Sequence, residues 1–198
     1  MASYADNAPN IRGGGDARYV IDTKGSTFQI QAFSQGLLSA FGHNPKIAIR
    51  NFEGDASFIA KGAVLEDAKL EVRIRADSLE VVDDISEKDR LEIERQIYND
   101  VLETDRFPMI LYEWSGAATG NGDLFWVKLE GALTLHGVTH TVPVSARVVI
   151  QGDSLRASGE FLVKQSDYDI AIVKVAGGAI QLKDEVKGTF NIVARRQG

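Results

Sequence analysis

His43, His136 and His140 are the three histidines of the chain, and they are the first place to look for proton transfer or metal binding. His136 and His140 flank Gly137-Val138-Thr139, so a tight hairpin would set their rings facing each other across the turn. Two imidazoles are an incomplete site, because zinc takes at least three protein ligands. No carboxylate is fixed beside them by spacing, so no metal is expected and both rings are expected to be exposed on the turn. His43 stands in Phe41-Gly42-His43-Asn44-Pro45, after the apolar Leu37, Leu38 and Ala40. A histidine there either points into the mouth of a cavity and bonds a ligand head group, or bonds a backbone carbonyl and holds the loop. Covalent chemistry has little support. There is no Gly-x-Ser-x-Gly and no cysteine. The acid pairs Asp83-Asp84 and Asp184-Glu185 occupy adjacent positions, which face opposite ways on a strand, so they read as solvated loop charges. No Gly-x-x-x-x-Gly-Lys loop and no Gly-x-Gly-x-x-Gly turn is present. No catalytic residue, metal or cofactor is therefore expected.

Charge narrows the partners. The 22 basic and 28 acidic side chains leave a net charge of -6, which disfavours a phosphate-backbone partner. Arg195 and Arg196 form only a short basic pair. Without cysteines, disulfides and thiolate metal sites are excluded and the redox compartment stays open. No run approaches the roughly 20 apolar residues of a membrane-spanning helix. Met1 to Gly15 is polar and glycine-rich and lacks the basic start and apolar run of a secretory signal. The expected location is thus cytoplasmic, or periplasmic or secreted if a leader has been removed.

The elements that must position these residues follow from a period of two. Leu70, Val72, Ile74 and Ala76 alternate with Lys69, Glu71, Arg73 and Arg75, giving one dry and one wet face. The same alternation runs through Val142, Val144, Ala146, Val148 and Ile150, through Leu155, Ala157, Gly159, Phe161 and Val163, and through Val186, Gly188, Phe190, Ile192 and Ala194. Weaker strands are expected at 27–33, 46–52, 56–60, 109–114 and 124–135. Asn121-Gly122, Gly152-Asp153 and Gly177-Gly178 are hairpin signals. Strands joined so tightly make a meander, and a meander this long must split into a sandwich or close into a barrel to remove its edges. Ser86 to Glu103 breaks the period: Leu91, Ile93, Ile97, Tyr98, Val101 and Leu102 fall near helical spacing, behind a weak capping box from Ser86 to Asp89. This single helix is expected as a plug or lid at one mouth, with packing on the outer wall as the alternative.

Several ordered motifs resemble the YceI-like family of lipocalin-like, polyisoprenoid-binding proteins. They are Tyr19-Val20-Ile21-Asp22 followed by Ser26-Thr27-Phe28, then Gly42-His43, then Phe52-Glu53-Gly54. Asp100-Val101-Leu102-Glu103-Thr104-Asp105-Arg106-Phe107-Pro108 closes the helix. The most specific is Gly131-Ala132-Leu133-Thr134-Leu135-His136-Gly137-Val138-Thr139-His140-Thr141-Val142. Asp167-Tyr168-Asp169-Ile170 and Asp184-Glu185-Val186 complete the set, which spans residues 19 to 194. The resemblance implies an extended antiparallel barrel whose pore holds a long isoprenoid chain, with no catalysis. It also places His136 and His140 at variable positions of a structural turn. The chain departs from the family pattern in showing no export signal, in lacking Arg-Asp-x-His-Leu at the helix start, and in carrying Ser166 where a basic residue is frequent.

The expected architecture is all-β: an extended antiparallel lipocalin-like barrel over residues 17–198 with one amphipathic helix near 86–103, after a flexible tail at 1–16. The expected function is non-enzymatic binding of a polyisoprenoid or isoprenoid-quinone-like lipid inside it. Phe28, Ile30, Phe41, Leu70, Val72, Ile74, Leu111, Val142, Val144, Phe161 and Phe190 are the expected apolar contacts, and His43 and Arg90 the expected head-group contacts. The expected partner is an isoprenoid or other lipid-like small molecule, with no nucleic acid and at most a second copy of the chain. Two alternatives stand: a small hydrolase-like or other enzyme using His43 at the mouth, and a stress-related regulatory binder.

Overall fold

Alternation along the sequence becomes the two faces of one closed wall. In a computed structural model, residues 16–35, 44–175 and 180–198 are described. Fourteen strands and one α-helix lie within them. The first half of the chain supplies β1 (Asp16–Ile21), β2 (Thr27–Gln31), β3 (Ser34–Gln35), β4 (Lys46–Ile49), β5 (Phe52–Lys61), β6 (Val64–Arg75), β7 (Leu79–Val81) and α1 (Glu87–Gln96). The second half supplies β8 (Met109–Asn121), β9 (Leu124–Leu135), β10 (Val138–Gln151), β11 (Ser154–Lys164), β12 (Lys174–Val175), β13 (Ile180–Leu182) and β14 (Glu185–Arg196).

Eight antiparallel strands close the barrel in the order β1-β5-β6-β8-β9-β10-β11-β14, with β14 returning to β1. Closure leaves this ring without an edge. Three short strands extend it at one end. β2 follows β1 along the same partner, since Ile21 stands opposite Ala194 and Thr27 opposite Asn191 of β14. β4 extends β5 and β7 extends β6 in the same way. The bend between β1 and β2 is held by the Asp22 and Ser26 motif residues. The Asp22 carbonyl accepts from Gly25 N at 3.1 Å and from Ser26 Oγ at 2.7 Å, while Ser26 Oγ accepts from Val193 N at 2.9 Å.

The helix packs at this extended end. Ser86 caps it by accepting from Asp89 N at 3.2 Å, as the capping box predicts. Beyond Gln96 the chain loosens into one π turn, Ile97–Val101. Ile93, Ile97, Tyr98, Val101 and Leu102 pack into the core, but Leu91 does not: it is 58% exposed and lies off the stripe expected for it. Among the described residues β7 has no strand partner on its β8 side, and the helix replaces one. Glu94 accepts from Val81 N at 3.0 Å, and the Tyr98 hydroxyl donates to the Leu79 carbonyl. Two backbone groups of a free edge are thereby satisfied.

Each end of the barrel is a packed plug. At the extended end Ile47, Val81, Ile97, Leu102, Leu133, Val163, Tyr168 and Ile170 form one buried cluster. At the opposite end, beneath the tight hairpins, Tyr19, Phe58, Leu65, Phe125, Ile150 and Leu155 form another. Tyr19 stacks on Phe58 with ring centroids 5.5 Å apart, and its hydroxyl donates to the Gly152 carbonyl at 2.9 Å.

Candidate functional site

Between the two plugs lies an apolar cavity of about 190 Å³. Strand phase decides which side chains reach it. Leu70, Val72 and Ile74 of β6, Val142 and Val144 of β10, Phe161 of β11, Phe190 of β14 and Phe28 of β2 all line it. The other expected contacts stand elsewhere. Ile30 shares the inner face with Phe28 but belongs to the packed cluster at the extended end. Leu111 must be corrected outright. It pairs with Arg73 and Thr134 on the outer face, while Ile110, Tyr112 and Trp114 point inward. Arg90 sits on α1, away from the cavity, with Nη2 at 3.5 Å from the Asp83 carbonyl and Nε buried without a partner. Phe41 and His43, like the Gly177-Gly178 turn, fall outside the described residues.

Sequence reasoning missed Tyr19, Ile21, Ile110, Tyr112, Trp114, Phe125, Leu129 and Leu133, which also line the cavity. For β8 a signal existed. Met109 to Tyr112 is apolar at every position, but Glu113 between Tyr112 and Trp114 must face water, and that fixes the phase of the strand.

The aromatic rings lie along the wall instead of across the lumen, and glycines make this geometry available. A Cβ on Gly188 would stand 2.1 Å from the Phe161 ring, and one on Gly159 would stand 2.7 Å from the Phe190 ring. Both glycines sit directly opposite their aromatic partner in the ladder. Each ring covers the bare backbone of its glycine, which is how curved sheets fill such positions.

Tyr112 brings a hydroxyl among these residues, and it is already engaged. It accepts from Gly131 N at 3.1 Å and lies 3.4 Å from the Leu129 carbonyl and 3.3 Å from the Val142 carbonyl. Burial pushes its pKa from the ordinary 10.0 to about 12, with the Gly131 amide pulling the other way. Burial, with the nearby Asp167 charge adding to it, pushes Tyr168 to about 12 as well. The sign follows from which form the fold favours. The neutral phenol is favoured, so this contribution to stability is complete below pH 10 and is lost as pH rises toward 12. Burial also raises Tyr19 and Tyr98, so alkaline difference spectroscopy should find several late-titrating tyrosines with Tyr112 and Tyr168 the latest, and Tyr112→Phe should remove one of that latest pair. If every tyrosine titrates near 10, the phenol is not buried as described.

The histidine pair has a structural use. His136 and Gly137 take positive φ, 52° and 77°, at the tip of the β9–β10 hairpin. Contrary to the exposed position expected, the His136 side chain is only 9% exposed. Its Nδ1 lies 3.0 Å from the Tyr168 carbonyl and its Nε2 lies 3.3 Å from Glu103 Oε1. Its ring also packs on Phe107, with centroids 4.4 Å apart. Both ring nitrogens are thus occupied, one tying the hairpin to Glu103 in the segment after the helix and the other to Tyr168 in the turn after β11. His140 is exposed and meets Tyr168 edge-on. Asp184, expected as a loop charge, is bound instead: its carboxylate accepts from Ser166 N at 2.8 Å and Ser166 Oγ at 2.6 Å, and these bonds hold its pKa below the usual carboxylate range.

A closed antiparallel barrel with an apolar lumen and a single helix defines a lipocalin-like protein. Within that class the chain belongs to the YceI-like family, whose domain model matches residues 19–194. Among solved structures it is similar to BcnA of Burkholderia cenocepacia, at 19% identity and a TM-score of 0.66, covering 87% of this chain and 98% of that one. It is also similar to a polyisoprenoid binding domain from Saccharophagus degradans implicated in plant cell wall breakdown, at 13% identity and a TM-score of 0.64, covering 90% and 98%. The Campylobacter jejuni YCEI protein follows at 17% identity and a TM-score of 0.56, covering 79% and 87%. These likenesses show the shared fold. No curated protein matches the chain. Among the described residues, no helix is long and apolar enough to cross a membrane.

Proposed function

We propose that the protein binds a long apolar chain, of polyisoprenoid or isoprenoid-quinone type, inside the barrel without chemical change. The observation that carries this reading is the cavity inside the barrel, lined almost wholly by aliphatic and aromatic side chains, with its Tyr112 hydroxyl already bonded to backbone. Such a wall offers a ligand burial and little else. Each CH2 removed from water contributes about 0.8 kcal/mol, so several isoprene units accumulate substantial affinity without a charged anchor. The named ligand of the Saccharophagus degradans domain, a polyisoprenoid, is of the same chemical kind.

Size sets a condition on the mode of binding. At about 190 Å³ the cavity is smaller than the roughly 300–1,000 Å³ of pockets that enclose a drug-sized ligand. It takes a section of chain as it stands, and a longer section requires the Phe161, Phe190 or Trp114 rings to move along the wall. Native mass spectrometry of gently extracted protein should show a co-purifying apolar adduct, or uptake of an isoprenoid from a mixture of quinones and prenols. Protein that carries nothing and takes up nothing from that mixture would overturn the reading.

A further inference from the structure

Among the described residues each end of the barrel holds a buried apolar cluster, so a break in the side wall is a natural way in for a chain-like ligand. Among the described residues the longest break in the pairing of the wall lies between β8 and β9. β8 and β9 pair at Leu111–Thr134, Tyr112–Leu133 and Glu113–Ala132, and again at Gly120–Phe125 and Asn121–Leu124. Between these stretches, residues 114–119 and 126–131 are not paired. The register is the same above and below the gap, so no residue has been inserted in either strand. The ladder breaks off and resumes in the same register, leaving a slit in the hydrogen bonding between the two strands. On its other side β8 stays paired to β6 along this stretch, across a bulge at Glu66 and Asp67, where Asp67 has φ 48°. A bulge bends and twists its strand, and here it lies next to the length of β8 that is unpaired with β9.

The slit lies beside two spaces that share lining residues. Outside it lies a groove of about 650 Å³ bordered by β5, β6, β8, β9 and β10. Asp55, Ser57, Lys69, Leu70 and Trp114 border both the groove and the apolar cavity. Trp114 is half-buried, and its indole lies along the inner side of β8 over Gly116, where a Cβ would stand 2.7 Å from the ring. At the outer lip stands Trp126, 72% exposed. Another outer groove shares Phe28 and Phe190 with the cavity, but the β2–β14 ladder beneath it is unbroken.

We propose that the cavity fills sideways through this slit, with Trp114 as its movable gate, and that the polar end of the ligand stays in the outer groove. This rests on the lipid-binding reading above. The groove also selects the head group. Its border carries the carboxylates of Asp55, Glu71, Glu113 and Glu130, the single ammonium of Lys69, and the hydroxyls of Ser57, Ser115 and Thr141. Arg18 and Arg73 engage Asp55 and Glu71, whereas Glu130 has only Lys128 at 4.0 Å. An uncharged hydroxyl finds donors and acceptors there. Glu113 and Glu130 are the border carboxylates not engaged by an arginine, and like charge beside them disfavours a phosphate or carboxylate head. The ligand assigned to this site is a single-chain isoprenoid with an uncharged hydroxylated head.

Two arms test the proposal. For the head group, farnesol and farnesyl monophosphate are compared by native mass spectrometry. The alcohol should bind about tenfold or more tightly than the phosphate, and Glu113→Lys with Glu130→Lys should erase the preference. For the route, association of the neutral dye N-phenyl-1-naphthylamine is followed by stopped flow. Trp114→Ala should raise its association rate about tenfold, whereas Val142→Ala, on the far wall, should act on dissociation alone, as contact losses usually do. The chain has no cysteine, so Ala117→Cys with Lys128→Cys makes a reversible clasp across the slit. Oxidation should slow association and reduction should restore it. Unchanged association in both Trp114→Ala and the oxidised clasp overturns the route. Equal or tighter binding of the phosphate overturns the head-group assignment. If neither farnesol nor the dye binds at all, the lipid-binding reading itself fails.

Discussion

Gly188→Val is expected to weaken the fold by about 1–3 kcal/mol, the usual range for overpacking a filled interior, and to close the cavity to an apolar chain. The reason is local. Even the first added carbon would stand 2.1 Å from the Phe161 ring, and that ring cannot retreat through the sheet behind it. It must swing inward, into the space a ligand would use. Binding of farnesol should therefore fall far more than stability does. The double variant Gly188→Val with Phe161→Ala should recover much of both, since two residues in contact couple instead of adding. Denaturant titration beside native mass spectrometry separates the two effects. A single variant that binds normally would mean that the ring over Gly188 does not control the lumen.

The glycine and aromatic pairs also show what a sequence can and cannot disclose about this barrel. Alternation made the faces of β6, β10, β11 and β14 readable, because each exposes charges on one side and aliphatic groups on the other. The small residues Gly159 and Gly188 on the inner faces were readable as signs of a curved wall. Their ring partners were not, because register between strands far apart in sequence sets which aromatic lies over which glycine. Leu111 was placed on the wrong face because four apolar residues in a row carry no phase of their own. Leu91 was counted in the helix stripe because hydrophobicity alone does not say where a short helix stops touching its neighbour. His136 is the clearest limit. Its neighbours in sequence are those of an exposed turn, while Glu103, Phe107 and Tyr168 reach it only in the fold. The slit was also illegible: the strand expected at 109–114 runs on to Asn121, and what fails beyond Glu113 is the pairing with β9.

Phe125→Ala is expected to be the most destabilising single truncation in the wall, at about 3–5 kcal/mol. Phe125 is 0% exposed in the plug below the hairpins, beside Tyr19, Phe58, Ile150 and Leu155. Its ring also lies over Gly120, where an added Cβ would stand 2.5 Å away. Truncation leaves a void that this rigid ring of strands cannot collapse around, so transfer and cavity costs add. For a chain of this size a loss in that range lowers Tm by roughly 10 °C. The same change should act on binding in the opposite sense. Phe125 lines the far end of the cavity as well as packing the plug, so removing its ring lengthens the lumen without opening it to water. Folded Phe125→Ala protein should gain affinity for geranylgeraniol relative to farnesol, because the longer chain can fill the added space. A thermal scan gives the first effect, and competition between the two alcohols under native mass spectrometry gives the second. A loss below about 1 kcal/mol would mean that the plug is not packed. A large loss without any change in chain-length preference would mean that the ligand does not reach that end, and that length is set elsewhere along the barrel.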